Sequence, residues 1–467
     1  MHRIRNLVFV VLLISAILHL ASFAPLVQAQ SSPDLNGDGQ IDYKDVVLLI
    51  NNFSQYSIFT FNRLIAYYGQ TSSIPTPTPI PSGIVAATPP MGWSTWNTFH
   101  CGDRYSDPPD NWDENTIKAM ADIMVASGLK DAGYQYINID DCWENINQKV
   151  ANRGVNDPLT ADPKKFPSGI KAVADYVHSK GLKLGIYTSY STRTCQWRWG
   201  SFNHEEQDVL TFASWGIDYL KVDHCLDNVN DLTTTLPSLT QKYRQAIDNH
   251  KLSMVLSIAP HQTGVWQWAP SLVNLWRVDN TLDITNDWNT MLRIFDLPDL
   301  HHPEVVGPGH FADPDMLEVG VAPTQNEPGM TTEEYKSHFS LWAILAAPLI
   351  MGNDIRYMTA EIKAILTNPE VIAVNQDPSG RQGTLIKTSG STQIWAKSLQ
   401  NPRTKAVLLF NRGSSAQNII VNWTDIGLVS GSASVRDLWT RTDRGTFSNS
   451  FTSSVSPHGV VMITISQ

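Results

Sequence analysis

Charge is scarce in this chain, and its sign excludes several partners. Only 17% of the 467 residues are charged, and the formal net charge is −10. Nucleic acids and anionic membranes both need a basic face, so neither is expected as a partner. Cysteine is scarce too: Cys101, Cys142, Cys195 and Cys225 are the four, with no C-x-x-C pair among them. That spacing speaks against a zinc framework. Long apolar runs are missing after the first residues, so no later segment is expected to span a membrane. What the chain does have is a globular balance, 42% hydrophobic, with 15 Trp and 14 Tyr. Its length calls for two or three domains. The flat aromatic faces fit either a large core or a neutral, sugar-like ligand.

The N-terminus reads as a targeting segment, residues 1–29. Arg3 and Arg5 precede an apolar run from Leu7 to Leu20, and Val27-Gln28-Ala29 offers a small-residue cleavage site. The run is short for a membrane span, so export with cleavage after about Ala29 is expected, leaving no membrane association. Retention as an uncleaved anchor is the alternative. In an exported chain the four cysteines are expected to form two disulfides, with three pairings open.

Residues 30–70 open with a calcium pattern. Asp34, Asn36, Asp38, Asp42 and Asp45 fall at loop positions 1, 3, 5, 9 and 12, and Gln40 would add a backbone carbonyl. Gly39 takes the sixth position, where the turn leaves no room for a Cβ. A plain Asp/Gly-rich turn is the alternative. The stretch resembles the first half of a dockerin, a small α-helical module of EF-hand type. Phe59 to Gly69 resembles the second dockerin helix, but the loop before it, around Asn51 to Ser57, lacks acidic ligands. One structural Ca2+ is therefore expected rather than two. The resemblance implies a cohesin-type scaffold partner, while the degenerate second half fits a self-contained stabilising module. Residues 71–88 are a spacer: alternating proline from Pro75 to Pro81 blocks both helix and ladder pairing.

From Pro89 to about Gly383 strand-like and helix-like patterns alternate. Tyr134–Asp140, Lys183–Tyr187, Ile217–Asp223 and Leu252–Ile258 read as strands. Lys171–Ser179, Asp208–Trp215 and Phe339–Ala346 read as helices, the last running up to Pro348-Leu-Ile-Met351. Repeated βα units over this length predict an α/β fold, a (β/α)8 TIM barrel over residues 89–383. Residues 384–467 change character. Gln393–Lys397, Lys405–Phe410, Asn418–Trp423 and Gly459–Ser466 are short β runs split by Gly/Ser/Asn turns, which predicts a C-terminal antiparallel β-sandwich.

Polar side chains gather at the C-terminal ends of the expected strands: Asp140, Asp141, Tyr187, Lys221 and Asp223. In a parallel barrel that face builds the active site. Strand alternation puts Lys221 and Asp223 on one side, so the ammonium would hold the carboxylate ionised, as a nucleophile requires. A structural ion pair would use the same pattern.

Several longer motifs add a resemblance. Pro90-Met-Gly-Trp-Ser-Thr-Trp-Asn97, Asn138-Ile-Asp-Asp-Cys-Trp143, Lys221-Val-Asp223, Asp313-Pro-Asp-Met-Leu317, Leu341–Leu349 and Asn375-Gln-Asp-Pro378 run in order over residues 89–383. Together they resemble the α-galactosidase / α-N-acetylgalactosaminidase family, glycoside hydrolase family 27, whose fold is a (β/α)8 barrel followed by an antiparallel β domain. The resemblance implies a retaining hydrolase that removes terminal α-D-galactose from oligo- or polysaccharides, with no cofactor for catalysis; the targeting segment adds the expectation that it is secreted, in solution or at the cell surface. It implies that Asp223 is the nucleophile. Asp140 and Asp141 would bind sugar hydroxyls, Lys221 a ring hydroxyl, and Trp96 would wall the sugar pocket. Tyr187 would stand near the nucleophile, with Asp315 and Met316 late in the pocket. It implies the disulfides Cys101–Cys142 and Cys195–Cys225.

Two departures stand out. The family's Trp-Arg, acid and Trp look here like Trp276-Arg277, Asp283 and Trp288. Counting back from Trp288 selects Asp283 as acid/base, whereas counting forward from Arg277 leaves Asp279 open; Arg277 would contact the sugar or orient the acid. After the fifth strand the family carries a Cys-Glu-Trp-like segment that reads the sugar's 2-position. Here Ala259-Pro260-His261 stands instead. An α-N-acetylgalactosaminide, a β-L-arabinopyranoside or an isomaltose-type glucoside therefore remain open as substrates, as does an inactive carbohydrate-binding protein. His261 is open between a substrate contact and a solvated loop residue.

Overall fold

A computed structural model describes residues 84–101, 112–149, 153–225, 235–278, 284–322 and 329–467. The expected leader, the expected calcium ligands Asp34, Asn36, Asp38, Gln40, Asp42 and Asp45, the proline run and both acid/base candidates, Asp279 and Asp283, lie outside them.

The N-terminal part of the described chain, as far as residue 351, is a TIM-like set of eight parallel strands. They are β1 (Met91–Ser94), β2 (Tyr136–Asn138), β3 (Lys183–Ser189), β4 (Tyr219–Asp223), β5 (Val255–Ala259), β6 (Leu275–Arg277), β7 (Phe311–Asp313) and β8 (Leu349–Met351). They hydrogen-bond in the order β7-β6-β5-β4-β3-β2-β1-β8. A parallel bridge from Leu317, just past β7, to Met351 of β8 joins the two ends of that order.

The strands read as unbroken apolar runs because both faces are covered. All five residues of β5 are buried, and Leu184, Leu220, Leu256 and Trp276 share one core with the surrounding helices. Close packing requires glycine at 185 in β3, where a Cβ would collide with Asn138 Oδ1. The helices that cover the strands start and stop on local chemistry. Helix 114–126 begins on Asp113, whose carboxylate accepts the Asn115 and Thr116 N–H groups. Helix 332–344 begins on a Thr331/Glu334 capping box. Helix 205–215 ends on Gly216, in the left-handed conformation that glycine adopts without steric cost.

The C-terminal part is antiparallel. Six strands pair in the order β14-β13-β16-β11-β10-β9, and two more pair as β12-β15. Their ranges are β9 (Thr384–Ser389), β10 (Thr392–Ser398), β11 (Thr404–Asn411), β12 (Gln417–Asn422), β13 (Ser432–Asp437), β14 (Thr442–Ser448), β15 (Ser450–Val455) and β16 (Val460–Ser466). Strand β11 is apolar without alternation, and the reason is visible in its neighbours. Val407 and Leu409 point into a core shared with Val421, Trp423, Ile463 and Ile465. Ala406, Leu408 and Phe410 point the other way, into the main core. Strand β11 is thus buried on both faces, while the edge strands β9 and β14 are largely exposed. Helix 332–344 supplies polar ties across the second face: Ser337 donates to the His458 carbonyl at 2.6 Å, and Trp439 Nε1 donates to Ser340 Oγ at 3.0 Å.

Candidate active site

The polar strand ends meet in one cavity of about 490 Å³. Asp140, Asp141, Tyr187, Lys221, Asp223, Arg277 and Asp315 all line it, with Trp96 and Met316 on its wall. It is further lined by His100, Gln196 and His261, and by Cys101 and Cys195, one from each disulfide. The structure joins Cys101 to Cys142 and Cys195 to Cys225. These bonds pin the segments after β1 and β3 to the ends of β2 and β4.

Asp223 ends β4, and both of its carboxylate oxygens accept hydrogen bonds. Its Oδ1 accepts from His261 Nε2 at 2.8 Å and from the His224 N–H at 2.9 Å. Its Oδ2 accepts from the Tyr187 hydroxyl at 3.1 Å. Burial alone would raise this carboxyl. The hydrogen bond from His261, with the charges of Lys221 and Arg277, outweighs burial and holds it well below the usual carboxylate range. These surroundings favour the ionised form of Asp223.

Lys221 turns out to have a different direct partner from the one its spacing suggests. Strand alternation does bring it to the Asp223 side, but Nζ donates to Asp140 Oδ2 at 2.8 Å, reaching across β3 to the end of β2. It lies over the Tyr187 ring, 5.3 Å from the centroid. Burial would lower the ammonium, but Asp140 and then Asp223 more than compensate and keep it charged. Lys221 acts on Asp223 through space, while His261 is the side chain that touches it together with Tyr187.

The Asp140-Asp141 pair is fixed by backbone. The Asp140 N–H donates to Thr95 Oγ1 at 2.9 Å, which ties the pair to the segment after β1. Asp141 accepts from the Cys142 N–H at 2.7 Å and from the Gln196 N–H at 3.0 Å. Beneath it Glu144 is completely buried and accepts from the same Cys142 N–H, at 3.1 Å. Burial, then the charge of Asp140, pushes Asp141 up to about 7. Glu144 is raised well above its ordinary value by burial, then by Asp141.

The far wall comes from β6 and β7. Arg277 lies 3.3 Å from Asp315 Oδ2 as an ion pair. Asp315 itself accepts from the Met316 N–H and the Ile284 N–H, both at 3.0 Å. Burial and then Asp315 push Asp313 up to about 6. The two described residues that bracket 279–283 are both tied here: the Val278 N–H donates to the Asp313 carbonyl at 3.0 Å, and Ile284 to Asp315.

His100, Gln196, Glu144 and the contact of His261 with Asp223 were not evident in the sequence. Only His261 had a signal, its position in a segment that departs from the family pattern.

A family described as Alpha galactosidase A matches residues 88–377, and one described as Alpha galactosidase C-terminal beta sandwich domain matches residues 389–465. The chain is 43% identical to Alpha-galactosidase 2 of Arabidopsis thaliana over 386 residues, 82% of this chain and 90% of that one. It is 37% identical to Alpha-galactosidase A of Homo sapiens over 336 residues, 70% of this chain and 75% of the human protein. The crystal structure of α-galactosidase I from Mortierella vinacea superposes with a TM-score of 0.70 at 34% identity, covering 82% of this chain and 98% of that one.

Proposed function

The chain belongs to the α-galactosidase family, glycoside hydrolase family 27, and we propose that it works by double displacement with Asp223 as nucleophile and Asp283 as acid/base. It is a glycoside hydrolase that removes terminal α-galactose, and α-galactosidases of this family need no cofactor for the reaction.

One observation carries the assignment of the nucleophile. Asp223 is a buried carboxylate kept ionised by its surroundings, open to a cavity lined with sugar-binding side-chain types. In the first step a carboxylate oxygen of Asp223 attacks the anomeric carbon as the C1–O bond to the aglycone breaks. Asp283 gives its proton to the leaving oxygen. In the second step Asp283 takes a proton from water, the water oxygen bonds to C1, and Asp223 leaves with its electron pair. A retaining pair needs about 5–5.5 Å between carboxyl groups. The ties of Val278 to Asp313 and of Ile284 to Asp315 hold both ends of 279–283 at the cavity, which suits either acid/base candidate; the spacing back from Trp288 favours Asp283. Asp140, Lys221 and Asp141 offer charged partners for ring hydroxyls, and Trp96 an apolar wall.

The same reading extends to the rest of the chain. The eight strands with their Leu317–Met351 bridge support a (β/α)8 barrel. Two disulfides and the leader-like N-terminus support export, and no helix among the described residues is long and apolar enough to cross a membrane. The ligand spacing from Asp34 to Asp45 supports one Ca2+ in a dockerin-like module.

Replacing Asp223 by Ala tests the proposal. Turnover of p-nitrophenyl α-galactoside is expected to fall about 10⁴-fold or more, with the melting temperature nearly unchanged. Turnover close to wild type would remove Asp223 from the chemistry.

A further inference from the structure

The two oxygens of Asp223 are not equivalent. Oδ1 accepts two hydrogen bonds, from His261 Nε2 at 2.8 Å and the His224 N–H at 2.9 Å. Oδ2 accepts the longer bond from Tyr187, at 3.1 Å. A carboxylate only accepts, so His261 carries a proton on Nε2 in this contact. Oδ2 accepts one hydrogen bond where Oδ1 accepts two, and we take it as the oxygen that attacks C1. Oδ1 then becomes the carbonyl oxygen of the glycosyl ester.

His261 is built into this contact. Its φ is 47°, a left-handed conformation uncommon for a residue with a side chain, and Pro260 precedes it. The Pro260 carbonyl is 3.2 Å from Nδ1 of His224, the residue next to the nucleophile. The His224 N–H donates to the Ala259 carbonyl at 3.0 Å. The turn 259–261 is thus clasped to the end of β4, and its imidazole, with 16% of the side chain exposed, lines the cavity.

Resting on Asp223 as nucleophile, we infer that His261 is a positioning residue that keeps Asp223 a good leaving group and so sets the rate at which the glycosyl ester breaks down. The reasoning is electrostatic. A hydrogen bond to Oδ1 is stronger when the carboxylate is charged than when it is an ester carbonyl. In the second step the C1–Oδ2 bond breaks and its electron pair returns to Asp223, while water bonds to C1 and loses its proton to Asp283. Charge grows on Asp223, so the His261 bond strengthens and the step is accelerated. In the first step charge leaves Asp223, so the same bond weakens and gives no acceleration. Removing His261 should therefore slow the second step selectively.

The experiment compares His261→Ala and His261→Gln with wild type on p-nitrophenyl α-galactoside, by stopped flow and intact mass. For His261→Ala the expected kcat falls about tenfold and KM falls with it, leaving kcat/KM within about threefold. A burst of one nitrophenol per enzyme should precede steady state, and the mass should show one hexosyl adduct. His261→Gln, whose amide can still donate to Oδ1, should recover most of kcat and lose the burst. A fall in kcat/KM without burst or adduct in both variants overturns the inference while Asp223 keeps its role. A wild-type adduct on any residue other than Asp223, trapped with a slowly hydrolysed fluorosugar, overturns both.

Discussion

The cavity at the strand ends and the core of the antiparallel domain are built on opposite terms. In the cavity, charge is buried and backbone is strained: Asp140, Asp141, Asp223 and Arg277 are all buried, and His100, His261 and Asp315 hold positive φ. In the antiparallel domain the inner core is apolar, from Val407 and Leu409 to Trp423, Phe451 and Ile465. Its positive-φ residues with side chains, Arg441, Asn449 and His458, lie in the turns between strands. Strained backbone at a site must be held by the structure around it. Here that support comes from two disulfides, the backbone donors to the carboxylates and the doubly covered strands. The difference teaches that chemistry is concentrated in one region, while the other contributes burial and docks on helix 332–344.

The comparison can be broken first where burial is greatest. Leu409→Ala removes a side chain with 0% exposure from the inner core of the antiparallel domain. It is expected to cost about 2–5 kcal/mol of stability, with kcat per folded molecule unchanged. Denaturant melts paired with active-site titration check this. A proportional fall in kcat of the folded fraction would mean that the domain takes part in catalysis.

A smaller effect, of opposite sign, should come from the cavity side. Glu144 and Asp141 hold protons to higher pH than ordinary carboxyls, chiefly through burial. An unfolded chain releases those protons near pH 4. Stability from this source is present below that range and is lost as pH climbs toward about 7, where Asp141 titrates. Glu144→Gln keeps an acceptor for the Cys142 N–H and removes a carboxyl from the pair. It is expected to gain about 1 kcal/mol over wild type at pH 8 and nothing at pH 4. Melting curves at both values check it; an equal gain at both would assign the effect to packing rather than charge.

The two regions also differ in how they can be read from sequence. Strands β3, β4 and β5 are largely apolar runs of five to seven residues, the first two ending in Ser189 and Asp223, and they announce themselves. β6 and β7 are three residues each, too short for any period to show, and exist because their neighbours complete the ladder. In the antiparallel domain β9, β13, β14 and β15 were also not evident. Their exposed faces are Ser/Thr-rich, as in Ser450-Phe-Thr-Ser-Ser-Val455, and read like turns. At the site, strand alternation is enough to bring Lys221 to the side of Asp223, but not to reveal that Asp140 holds it from two strands away. The His261 contact spans 38 residues and depends on a left-handed turn after a proline, which no local pattern encodes.

The central claim is that the sugar is carried on Asp223 during turnover. It is tested most directly by reacting the enzyme with an activated, slowly hydrolysed fluorogalactoside and mapping the labelled peptide by mass spectrometry. The account predicts one sugar per chain, on the peptide that contains Asp223 and on that side chain. A label on any other carboxylate, or steady turnover with no covalent sugar at any time, would contradict it.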